Sequence, residues 1–178
     1  LRLLYVEHNE HDIGLTRHHF AHHAPHILLE VARTALEHQP FSEWRAKALA
    51  ETNVDAKLNA IAAFARTADA GQQGAWVTAL TSISFPELSV QQQLDYLRVA
   101  SLGVMRLEPL QSSTRQKLIS ALDTYLPSKN HFVNRDLANL LIRLRAPGIV
   151  NRLIPLLENA TTPEDAIDFA VSLSAVHD

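Results

Sequence analysis

The chain has 178 residues, 47% hydrophobic and 20% charged, the composition of an ordinary globular protein with enough chain to bury a core in one domain or a short solenoid. Sixteen Lys and Arg against 19 Asp and Glu leave a formal net charge of -3, which argues against a broad phosphate-neutralising face and so against a nucleic-acid partner. The absence of cysteine excludes disulfides, thiolate metal sites, iron–sulfur clusters, covalent c-type haem and cysteine nucleophiles within this sequence.

At the N-terminus LRLLYV is a continuous apolar run of strand length, too short for a signal peptide and followed by charge. It has no partner strand in this sequence, so it reads as a short extended segment, a first helical turn, or an edge for a second copy. Residues 12 to 23 read as helical, with Pro25 as the break. From Ala56, Leu58, Ile61, Ala62, Ala65 and Ala68 share one face with Phe64 beside them, Asn53 is placed to cap the start, and Gly71 and Gly74 punctuate the end. Trp76, Leu80 and Ile83 follow at helical spacing. Ser89 and Gln92 have capping-box spacing and open a helix whose predicted stripe is Leu94, Leu97, Leu102 and Met105.

In the second half, the segments LIS and ALDTYL lead to NRDLANLLIRLR, where Leu137, Leu140, Leu141 and Leu144 line a face that leaves out Arg135, Arg143 and Arg145. Ala146, Pro147 and Gly148 end that helix. A further one is predicted from Ile149 through Leu157, with a kink at Pro155. The last begins at Thr162, with Pro163 in the first helical position and Glu164 and Asp165 in the first turn, where carboxylates favour the helix dipole. The pattern predicts about eight to ten helices in roughly antiparallel pairs. Such pairs cannot bury their apolar faces alone, so the fold class expected is all-α with stacked helical repeats, which the resemblance given below narrows to a short right-handed solenoid of HEAT-like repeats. An irregular all-α bundle is the alternative for the same periodicity. No stretch reaches the length of a membrane span, and the sequence assigns no compartment.

Two resemblances bear on this reading. The segments VARTALEHQPFSEWRAKALAET, LSVQQQLDYLRVASLGVMRL, YLPSKNHFVNRDLANLLIRLRAPGIVNRLIPLLE and ATTPEDAIDFAVSL resemble, in the same order, the HEAT-repeat region of large multidomain planctomycete-type proteins labelled haem-binding or membrane-bound dehydrogenases. In that family the repeats are a spacer between a propeller-like module and a cytochrome c-type domain, so the resemblance implies a structural role over residues 27–178. Its redox label does not extend to a chain without cysteine. LRLLYVEHNEHDIGLTRHHFAHHAPHILLEVART resembles the start of a response-regulator receiver domain, in which carboxylates after the first strand help hold a divalent cation. Glu7 matches one such position, His8 replaces the next, and repeat-like sequence begins before any phospho-accepting strand. Residues 1–26 thus read as a His-rich cap or receiver-like remnant.

Candidate chemistry is sparse. His8, His11, His18, His19, His22, His23 and His26 crowd the N-terminus, and His18 with His22 would face the same way on a helix, an arrangement able to present two imidazoles to a transition metal. The HExxH order is absent, and a solvated polar face accounts for the same residues. Asn134 and Arg135 stand at the start of the most strongly periodic helix as interaction candidates for an anionic ligand. The structural alternative there is a cap by Asn130 or Asn134 and a charge pair by Arg135 or Asp136. Trp44 and Trp76 read as core. There is no GxSxG elbow or glycine-rich phosphate loop, so no catalytic residue and no cofactor is expected. The leading expectation is a non-catalytic scaffold or protein-interaction module joining a protein partner or flanking domains. A signalling or metal-responsive module using the N-terminus is the alternative.

Overall fold

The computed structural model describes residues 34, 37–39, 43, 44, 46 and 49–176. They are all-helical: seven α-helices, three short 3-10 turns and no strand among the described residues. We number the helices α1 (Val54–Thr67), α2 (Gln73–Thr81), α3 (Val90–Arg106), α4 (Ser112–Leu122), α5 (His131–Arg143), α6 (Ile149–Glu158) and α7 (Pro163–Ser174).

Helix starts follow local chemistry. The Asn53 side chain accepts from Ala56 N at 3.0 Å, which satisfies one of the free donors of the first turn of α1. Ser89 and Gln92 form the reciprocal capping box of α3, and Thr162 caps α7 ahead of Pro163. One expectation shifts: Gly74 lies within the first turn of α2, because a 3-10 turn over Ala70–Gln72 carries the chain straight into that helix.

Each odd-numbered helix packs on the next odd-numbered one, giving a row α1, α3, α5, α7, while α2 packs on α4 behind it and α6 packs on α5 and α7. Side-chain hydrogen bonds repeat the same step along the chain. Gln92 Nε2 donates to Asp55 Oδ1 across 37 residues, Lys117 Nζ to Thr78 Oγ1 across 39, and Ser172 Oγ to Asn139 Oδ1 across 33.

The core lies between the two tiers. Leu137, Leu140, Leu141 and Leu144 are all buried, as their spacing predicts, and so are Trp44 and Trp76. The predicted stripe of α3 is displaced. Its buried residues are Tyr96, Leu97, Val99, Ala100, Gly103 and Val104, whereas Leu94 and Leu102 are only partly buried and Met105 is exposed. The reason is that α3 is flanked by α1 and α5 and also meets α2, so its core face follows Gly103, which lies against the Trp76 ring. A Cβ on Gly103 would sit 1.8 Å from Trp76 Cζ2. Burial raises the Tyr96 phenol well above its ordinary range, with Tyr125 adding to the shift, and the Phe85 ring packs edge-on to Tyr96.

Gln73 ties the second tier to the first. It is buried at 1% exposure, donates from Nε2 to the carbonyls of Leu107 and Pro109 at 2.8 and 2.9 Å, and accepts from Gln111 N at 2.8 Å. One side chain thus satisfies three backbone groups of the α3–α4 connection.

Candidate functional site

The row of odd-numbered helices leaves a trough at their C-terminal ends. Its main part, a cavity of about 840 Å³, is bounded by Ser101 and Met105 of α3, by α5 from Asn139 to Arg143, by the turn into α6, and by Ala175 and Val176 after α7. A smaller hollow of about 320 Å³ between α3 and α5 shares Ser101, Met105 and Asn139 with it, so the two are continuous. The apolar lining comes from Leu102, Met105, Ile142 and Val150, and Met105 is 53% exposed. A flexible, polarisable thioether on such a surface adapts its shape to what it contacts.

Charge on the lining is biased. Arg98, Arg143 and Arg145 contribute three cations, and Asp136 is the carboxylate among them. Arg98 pairs with Asp95 at 2.8 Å and Arg143 with Glu108 at 3.1 Å, both on exposed side chains. Asp136 receives Arg135 Nε at 3.1 Å. Arg145 has no ion pair among the described residues. With Asp95, Glu108 and Asp136 each bonded to an arginine, the trough keeps one unmatched cation, Arg145, in a chain of net charge -3.

The backbone at Arg145 has a distinct geometry. Its φ of 54° is the one positive value at a non-glycine residue among the described residues. Arg145 N donates to Ile142 O at 2.8 Å and Ala146 N to Leu141 O at 2.9 Å, the bond pair that closes a helix through a left-handed residue. Glycine is the default there, and an L-side chain costs about 1 kcal/mol. Three residues later Gly148 also has positive φ, 67°, and gives the first turn of α6 no side-chain cap. Helix α6 runs from Ile149 through Pro155 to Glu158, one residue beyond the predicted end.

Compared with protein-family models, with curated proteins and with solved structures, the chain matches none.

Asn134 and Arg135, candidates read from the sequence, are not part of the trough lining. Asn134 accepts from Ser128 N and donates from Nδ2 to Ser128 O at 2.7 Å, so its amide pairs with one backbone unit and clamps the preceding turn onto α5. Asn130 is the residue that caps α5, accepting from Val133 N at 3.2 Å. Arg135 bonds the neighbouring Asp136 and lies 5.5 Å from the centre of the Phe132 ring, within cation–π range. His18 and His22 lie outside the described residues, as do the N-terminal apolar run and the receiver-like segment. Among the described residues no group of three or more His, Asp or Glu side chains is placed to hold a metal, and no helix is long and apolar enough to cross a membrane.

Sequence reasoning missed the trough because its parts are distant. Met105 falls on an apolar stripe, Arg143 and Arg145 look like solvated polar positions, and only stacking brings them together. The one local signal was Arg in place of Gly immediately after the buried Leu144 that ends the helix.

Proposed function

We propose that this chain is a non-catalytic scaffold of HEAT-like repeats, a short right-handed α-solenoid whose trough is a protein-docking surface. The observation that carries the reading is the row of alternate helices, each packed on the next but one and joined by side-chain bonds 37 and 33 residues apart, with a third, 39 residues apart, between α2 and α4. That step is close to the length of one helical-repeat unit, and stacked units bury a continuous core while presenting one extended face. The sequence resemblance to a HEAT-repeat spacer region points the same way. The trough supports docking, because its described lining sets apolar surface beside exposed arginines.

The test is site-specific photo-cross-linking in cells, with the reactive residue at Met105 in the trough or at Gln116, which is exposed on α4. A discrete protein adduct from position 105 and none from position 116 is expected. Adducts from position 116 alone, or from neither, would contradict trough docking.

A further inference from the structure

We propose that the trough takes a segment of acidic peptide and that Arg145 recognises its carboxylates, an inference that rests on the docking reading above and names its partner class. Three observations converge. Arg145 lines the trough, is exposed, and has no ion pair among the described residues, whereas Arg98 and Arg143 each hold a surface carboxylate. Its backbone adopts a left-handed conformation that glycine would take without strain and with the same closing backbone bonds, so the fold itself does not call for a guanidinium there. The surrounding lining is apolar, with Met105 more than half exposed beside Leu102 and Ile142, which suits the side chains that flank acidic residues in a peptide.

The charge pattern selects the occupant. A peptide carboxylate meets Arg145 directly and can compete with Asp95 and Glu108 for Arg98 and Arg143, whose present ion pairs are exposed and weak. A basic segment would meet Arg145 with no carboxylate of its own, since Asp95, Glu108 and Asp136 are already bonded to Arg98, Arg143 and Arg135. Nucleic acid fits poorly, because three arginines neutralise few phosphates and the described lining holds no aromatic ring for base stacking.

The experiment uses the full chain and three fluorescein-labelled peptides with identical leucine positions, whose remaining positions are all Glu, all Gln or all Lys. Fluorescence anisotropy should show the Glu peptide binding tightest, with affinity falling as salt is raised. Arg145→Gly should weaken the Glu peptide by about tenfold or more while raising the melting temperature by about 2–4 °C, because it removes the charge and relieves the backbone together. Arg145→Lys should keep part of the affinity and none of the thermal gain. Unchanged Glu-peptide affinity in Arg145→Gly overturns the proposal. Equal binding of all three peptides, lost in Met105→Asp, overturns acid recognition and leaves docking in the trough intact. Failure of every peptide to bind overturns both.

Discussion

Replacing Gly103 by Ala probes the closest approach between the two helical tiers. The added Cβ would lie 1.8, 2.3 and 2.5 Å from Trp76 Cζ2, Cε2 and Cη2, where carbon atoms in contact prefer about 3.5–4.0 Å. The indole is fully buried, so the ring has no free space at the surface to enter. Either α2 and α3 separate or the ring leaves its rotamer. Overpacking of this kind costs about 1–3 kcal/mol and sometimes more, while Ala gains up to about 1 kcal/mol over Gly in a helix interior. The clash involves three rigid ring atoms, so the upper end applies and the net loss is about 2 kcal/mol or more, equivalent to about 4–8 °C in melting temperature. Urea titration followed by far-ultraviolet circular dichroism measures it. A second substitution, Trp76→Leu, removes the obstructing ring, so Gly103→Ala should cost much less in that background than alone. If Gly103→Ala raises stability, as at an open helical position, the described contact between α2 and α3 is wrong.

Three further outcomes follow from the same packing. Gln73→Leu should lower stability by about 2–3 kcal/mol through three lost backbone partners, and Gln73→Glu by more, since it turns an oxygen toward the carbonyls of Leu107 and Pro109; the urea midpoint checks both. The Tyr96 phenol has its folded pKa raised, first by burial and then by Tyr125. Above about pH 10 the unfolded chain therefore releases a proton that the folded chain retains, stability falls as pH rises, and Tyr96→Phe should flatten that fall in alkaline melting curves. Ile167 and Val171, one turn apart on α7 and each 61% exposed, should drive concentration-dependent association that Ile167→Lys with Val171→Lys abolishes in sedimentation velocity; a monomer at every concentration before substitution contradicts this.

What the sequence made legible was local. Asn53, the Ser89–Gln92 box and Thr162–Pro163 announce helix starts because each satisfies donors within its own first turn. Leu137 to Leu144 announce a buried face because one helix flank meets the core. Periodicity failed where a helix packs on several sides: in α3 it favoured Met105, which is exposed, over Val99, Ala100 and Gly103, which are buried. It also gave no reason to bury Gln73, whose partners lie 34 to 38 residues away. Asn134 and Arg135 drew notice by position, yet their described contacts are a turn clamp, a neighbouring carboxylate and an aromatic ring. The trough depends on α3, α5, α6 and the end of α7 together, so no linear pattern contains it.

If stability and shape come from stacking of successive helical pairs, truncation within the turn at Gly148 removes one end of the stack and leaves the rest folded. A repeat array loses its terminal unit without losing the others, because each contacts only its neighbours. The chain ending at residue 148 should keep the helical circular dichroism of α1 to α5 and unfold cooperatively in urea, with a lower midpoint and a smaller slope in proportion to the surface removed. A truncated chain with no cooperative transition, or without helical signal, would show instead a bundle that folds only as a whole.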